Sequence, residues 1–255
     1  MNPLTANELM QADGMSLLRI AQQTGLVLTA SGRIARANDP DRSPGPLLGL
    51  FGCAQGNLVR IRHDVSDRLA RDLLEIAGTE PPWTDADREP SCLGLLLACL
   101  SSELPVKKVV LEVAHRIPNA LAREHGAKLV QSDSAEGVEL AARFANSNMP
   151  RNMVDAGFKR VADLWGPWCI AREGDAVASI AFAARLGENG AAIGVYTFPG
   201  FRGRGLAAAV TSGWSAHPAL ARRVLFYSAS RDNQSSRRVI ERLQLPRIGA
   251  SLLVE

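Results

Sequence analysis

Residues 167–255 constrain the fold more than any other part of the chain. Three segments with strand character come first, PWCIARE, AVASIAFAARL and AAIGVYTF, separated by the short turns GD and GENG. Apolar runs joined by such turns predict an antiparallel meander. The pattern then changes to helix GLAAAVTSGWSAH, strand RVLFYSA, helix NQSSRRVIERLQL and strand ASLLVE. A meander running into a β-α-β-α-β tail predicts a mixed sheet of the α/β or α+β kind.

The junction Pro199–Leu206 between the third strand and the first of those helices carries the chemistry. A helix N-terminus presents unpaired N–H groups and a partial positive charge, so it attracts anions. Gly203 and Gly205 lack Cβ and let an oxyanion approach the backbone. Arg202 and Arg204 add forked cationic donors, and Ala207, Ala208 and Ala209 let the helix pack close to the sheet. The junction therefore predicts a phosphate or pyrophosphate site, set against an exposed basic turn that needs glycine only for its φ angles. No G-x-x-x-x-G-K-[ST] occurs, which excludes a P-loop nucleotidase. The run Gly200-Phe-Arg-Gly-Arg-Gly205 is not G-x-G-x-x-G, which disfavours NAD or FAD.

The rest of the chain narrows the partners. The net charge of +3 is small and the basic residues are interspersed with acidic ones, so no nucleic-acid partner is expected. Cys53, Cys92, Cys99 and Cys169 have neither C-x-x-C spacing nor a nearby His pair, so no metal is expected. The start MNPLTANELM lacks the pattern of a signal peptide. The greasiest run, LGLLLACL, is short against the roughly 20 residues that span a bilayer. A cytoplasmic location without a membrane partner is the expectation.

Upstream, the chain reads as helix MSLLRIAQQTG, then short strands with a hairpin at AQGN. Ser66 caps the helix DRLARDLLEIAG, a second helix covers about Ser91–Glu103, and VKKVVLEVAHRI reads as a strand ended by Pro118. Ser134 or Asp133 can cap AEGVELAARFA, and MPRNMVDAGF reads as a short helix. The expected organisation is an α+β domain over 1–120 and a second domain over 121–255.

RGRGLA, Arg202 to Ala207, resembles the R/Q-x-x-G-x-G/A signature of the GCN5-related N-acetyltransferases, the GNAT family. VLFYSASRDNQSSRRVIERLQL resembles that family's next strand and helix, with its S-x-x-N-x-x-S elements at Ser230, Asn233 and Ser236. PWCIAREGDAVASIAFAAR resembles its strands two and three. The resemblance spans Pro167 to the C-terminus, extends to about Leu129, and is closest to a bacterial subgroup with an extra N-terminal domain. It implies a mixed, mostly antiparallel GNAT sheet flanked by helices; the first half, by its own β-β-α run without an R-x-x-G-x-G/A loop, is expected to be a degenerate second copy of the fold. It further implies acetyl-CoA as donor and a small-molecule amine as acceptor, in a monomer or homodimer.

The cofactor residues implied are Val195, Thr197, Arg202, Gly203, Arg204, Gly205, Leu206, Ala207, Asn233 and Ser236. Ile193–Thr197 would pair with the pantetheine amides like an added strand, and Val195 or Tyr196 would offer an oxyanion N–H. An alkylammonium with a pKa of about 10 must also lose a proton. Where many family members carry a Tyr in the final helix, this chain has Ile240, and carboxylates often present in the strand before the loop are replaced by Ala192 and Tyr196. Tyr196 is the first candidate acid, and Glu188 a candidate base beside deprotonation by water. The missing groups also suit a non-catalytic acyl-CoA sensor. Asn233 equally suits a helix cap, Tyr227 and Trp214 read as core, and His217 as a helix C-terminus. Trp165 and Trp168 read as packing residues able to line an acceptor cleft, and Arg237 and Arg238 as a solvated helix face of which one could meet the nucleotide phosphates.

Overall fold

The computed structural model describes residues 12–122, 126–147 and 149–255. Helix α1 (Gly14–Gly25) starts on Asp13, whose carboxylate accepts the Ser16 N–H at 2.7 Å. The hairpin β1 (Leu26–Leu28) and β2 (Ile34–Ala37) follows, then the hairpin β3 (Leu48–Cys53) and β4 (Gly56–Ile61). Ser66 caps α2 (Asp67–Gly78), and α3 (Leu93–Ser101) leads into β5 (Val109–Ile117). Next come β6 (Lys128–Gln131), α4 (Ala135–Ser147) and α5 (Arg151–Asp155). The expected meander is β7 (Trp168–Glu173), β8 (Ala176–Leu186) and β9 (Gly190–Thr197). The tail is α6 (Leu206–Ser215), β10 (Val224–Ser230), α7 (Gln234–Arg242) and β11 (Arg247–Val254).

Nine strands form one sheet in the order β4-β3-β11-β5-β10-β9-β8-β7-β6. All neighbours in it are antiparallel except β9 and β10. The mixed, mostly antiparallel sheet expected from the sequence is therefore present. Strand β5 runs between β10 and β11, and β11 runs between β5 and β3, so strands from both sides of residue 120 interleave. Residues 12–120 hold no ladder of parallel strands, and among the described residues the parallel pair occurs once. The first half therefore contributes β3, β4 and β5 to the same nine-stranded sheet.

Alternation along the strands sends side chains to two faces. On the first face Leu111 and Val113 of β5 pack with Leu69 and Leu73 of α2 and Leu96 of α3. Ile117 of the same strand joins Val210 and Trp214 of α6 and Ile240 of α7. On the second face α1 sets Ile20 against Phe226, and α4 and α5 set Leu140, Phe144 and Met153 against Ile170 and Ile180. The sheet thus carries α2, α3, α6 and α7 on one side and α1, α4 and α5 on the other.

Candidate active site

Strands β9 and β10 are paired only at Gly190, Ala191 and Ala192, opposite Val224, Leu225 and Phe226. Beyond those rows β9 continues to Thr197 against β8 alone, and β10 continues to Ser230 against β5 alone. The two strands splay apart and leave a gap in the middle of the sheet. Phe198 N–H donates to Ala178 O at 3.0 Å, and Ser179 Oγ donates to Tyr196 O at 3.0 Å, so Tyr196 and Phe198 turn their backbone polar groups toward β8. By strand alternation, Val195 and Thr197 turn theirs into the gap. Of the two residues expected to offer an oxyanion N–H, Val195 is the one whose backbone faces the gap.

The gap opens into a cavity of about 620 Å³ that runs to the N-terminus of α6. The chain enters α6 through glycines held at positive φ, Gly203 at 76° and Gly205, the N-cap, at 75°. Side-chain-bearing residues rarely adopt that conformation, which explains the glycines. A Cβ on Gly203 would meet nothing within 4 Å, so its backbone stands open to the cavity. The first N–H groups of α6 at Leu206, Ala207 and Ala208 lie on the cavity wall without an intrahelical acceptor. Arg202, Arg238 and Arg242 also line it, and among the described residues none of them forms an ion pair. Arg202 Nε donates to Thr197 O at 3.2 Å, which holds its guanidinium at the cavity, and three guanidiniums without an ion pair around a helix N-terminus favour an anion there.

The structure gathers Val195, Thr197, Arg202, Gly203, Gly205, Leu206, Ala207, Asn233 and Ser236 around this one cavity. Asn233 is also the N-cap of α7, its side chain accepting from Ser236 N–H at 3.1 Å, so it keeps the cap role while facing the cleft. Arg204 is turned away and pairs with Glu173 of β7 at 2.7 Å. Tyr196 borders the cavity, but its ring packs edge-on against Phe198 at 5.0 Å and Phe158 at 6.3 Å. Glu188 sits exposed in the β8–β9 turn, at the opposite end of β9 from the cavity.

Other residues differ from their sequence reading. Tyr227 is buried, as expected of a core strand, yet its hydroxyl borders the cavity and reaches Ser236 Oγ at 3.4 Å. Burial pushes its phenol pKa up, so it holds its proton at neutral pH. The available signal was its place as the first β10 residue beyond the last paired row. Arg237 is partly exposed but committed: it pairs with Asp87 from the first half. His217 caps a short 3-10 turn, its Nδ1 accepting from Ala219 N–H at 3.2 Å. Its Nε2 meets both Ser132 Oγ at 2.9 Å and Asp133 at 3.2 Å. Serine and carboxylate share one ring nitrogen and the other is occupied, so this is no nucleophile–base relay. Trp168 and Trp214 are core, whereas Trp165 is half-buried against Phe182 at 5.9 Å.

The solved structures similar to this chain include GNAT-family acetyltransferases. One is a candidate GNAT acetyltransferase from Novosphingobium aromaticivorans, at 21% identity and TM-score 0.42, over 59% of this chain and 66% of that one. A GCN5-related N-acetyltransferase from Kribbella flavida is similar at 15% identity and TM-score 0.41, over 62% of each chain. A GCN5-related N-acetyltransferase-like protein from Streptococcus suis is similar at 16% identity and TM-score 0.43, over 85% of this chain and 86% of that one. The chain thus spans just under two thirds of the first two structures. No family model matches the chain, and no curated protein does.

Proposed function

We propose that this protein is an N-acetyltransferase that uses acetyl-CoA to acetylate a small-molecule amine. The observation that carries the reading is the splay of β9 from β10, which exposes backbone groups of Val195 and Thr197 along a cleft leading to the α6 N-terminus. The residues present fit this donor. Exposed strand edges pair with the two amides of a pantetheine arm as they would with another strand. The glycine loop, the α6 N–H groups and Arg202 suit a diphosphate, and Arg238 and Arg242 suit a further phosphate on the nucleotide. When bound, the donor supplies a thioester carbonyl open to attack by nitrogen.

The chain's own groups then have definite tasks. Val195 N–H polarises the carbonyl oxygen and stabilises charge that develops on it. Tyr227, protonated and directed at Ser236, delivers the proton that the leaving sulfur needs, the task for which Ile240 has no group. Tyr196, packed among Phe158 and Phe198, walls the acceptor side.

Calorimetric titration with acetyl-CoA tests the reading, with an Arg202→Glu, Gly205→Glu double variant as control. Binding by the wild type and its loss in the variant are expected, followed by acetyl transfer in an amine screen. No binding by folded wild type defeats the reading. Binding without transfer to any amine reduces it to an acyl-CoA sensor.

A further inference from the structure

Strand β5 carries a single carboxylate, Glu112, in the apolar run VVLEVAHRI. Its position follows from register. The last β9–β10 row, Ala192 opposite Phe226, continues onto Arg116 of β5. Four residues further along each strand stand Tyr196, Ser230 and Glu112. Glu112 is paired directly with Ser230 on one side and with Ser251 of β11 on the other. Directly opposed residues in a sheet share a face. Glu112, Ser230 and Ser251 therefore form one polar row on the face that carries α1, α4 and α5, and Tyr196 is at the same level across the gap. The cavity walls at Val195, Tyr227 and α6 belong to the other face. The gap thus has a donor side and an opposite side, and the opposite side carries a carboxylate.

That carboxylate has no structural task. Among the described residues the Glu112 side chain makes no hydrogen bond and no ion pair, although it is half-buried in the middle of the sheet. The cations that act on it through space are Arg185 and Lys108, opposed by Glu255, and Arg185 is committed to Asp39 at 3.5 Å. Desolvation holds the Glu112 pKa above the usual carboxylate value, which costs stability in the folded state. A partly buried anion kept without a partner is a site for a cation that arrives from outside.

Resting on the acetyltransferase reading, we infer that Glu112, flanked by Ser230 and Ser251, is the acceptor subsite: it binds the ammonium of a primary amine and removes its proton. One N–H bond of the ammonium breaks and one O–H bond forms on Glu112. The freed lone pair is then available for the carbonyl carbon, and Glu112 later returns its proton to water. The second nitrogen proton lost during transfer balances the one taken up by the departing sulfur. Glu188, far from the gap, has no part in this.

The test compares wild type, Glu112→Gln and Glu112→Asp in three measurements. Calorimetry with acetyl-CoA is expected to give all three the same affinity within about twofold. Transfer to primary amines at pH 7 is expected to fall by about 10²–10⁴ in kcat/KM in E112Q. Partial recovery is expected at pH 10, where the amine is already neutral, and in E112D. Thermal unfolding at pH 8 is expected at a higher midpoint in E112Q, since an unpaired desolvated anion is gone. Unchanged kcat/KM in E112Q across pH overturns the inference alone. A lowered midpoint makes Glu112 structural and also overturns it. Failure of the wild type to bind acetyl-CoA, or to acetylate any primary amine, overturns the functional reading and the subsite with it.

Discussion

Arg237 of α7 is held by Asp87, from the other half of the chain, through two hydrogen bonds of 2.7 Å each. Arg231 pairs with Glu89 at 3.2 Å and Arg247 with Asp85 at 2.9 Å, so one acidic loop grips the start and the end of the segment that includes α7. Asp87→Ala is expected to cost about 0.5–1.5 kcal/mol, because the pair is bidentate but partly solvated. It is also expected to weaken acetyl-CoA binding several-fold by loosening the helix that presents Asn233 and Ser236. A double-mutant cycle with Arg237→Ala, read by urea unfolding and calorimetry, checks both effects. A coupling of zero removes the loop from the site.

Arg238 is the contrasting residue on the same helix. It lines the cavity and forms no ion pair among the described residues. Arg238→Ala should leave unfolding within about 0.5 kcal/mol of wild type while weakening acetyl-CoA binding, and the loss should shrink as salt is raised. An affinity equal to that of the wild type would mean that no phosphate reaches it.

The two phenols are separable by kinetics. Tyr227→Phe is expected to lower kcat by about 10²-fold or more with acetyl-CoA affinity unchanged, as for loss of a general acid. Tyr196→Phe, which keeps the aromatic packing against Phe158 and Phe198, should change KM for the amine more than kcat. The opposite pattern would return the acid role to Tyr196.

Stability should fall on mild acidification. His115 is buried with its Nδ1 unpaired, and burial together with Arg247 and Arg237 lowers its pKa from 6.5 to about 4. His217 is lowered too, by burial and against the pull of Asp133. A histidine with a depressed pKa binds fewer protons folded than unfolded, so stability is intact above pH 6.5 and is lost as pH falls toward 4. For His115 the loss is on the order of 3 kcal/mol. Urea unfolding at intervals from pH 7.5 to 4.5 measures it, and His115→Gln should flatten the slope. An unchanged slope in that variant would assign the loss to other groups.

Gly213 sets how close α6 lies to the sheet. A Cβ there would stand 2.5 Å from Cys169 Sγ and 2.8 Å from Leu129 Cδ1. Gly213→Ala gains about 1 kcal/mol of helix propensity but overpacks by about 1–3 kcal/mol. Net destabilisation is expected, with weaker acetyl-CoA binding as the N-terminus of α6 shifts. A stabilised variant would show that the contact yields easily.

Much of the site is legible in the sequence. The glycines and arginines of RGRGLA, the cap at Asn233 and the turns of the meander are local signals, and local φ demands and hydrogen bonding realise them in place. Residues whose roles depend on distant partners are not legible there. Arg204 and Arg202 look alike in sequence, yet only one finds Glu173 within reach. Arg237 and Arg238 are neighbours on one helix, and only Arg237 meets an acid from the first half. Tyr227 looked like core, and it is, except at its hydroxyl.

By itself the sequence determined the elements, the meander and the glycine–arginine junction before α6, because periodicity and turn chemistry act over a few residues. Tertiary structure alone decided that β5 enters the sheet between β10 and β11 and that Glu112 reaches the level of Tyr196 across the gap. The reason is physical. Strand order and register are set by the burial of two sheet faces at once, and shifting a strand by one residue sends every side chain to the opposite face. That choice is made by contacts more than a hundred residues apart, such as Glu112 with Ser230 and Ser251.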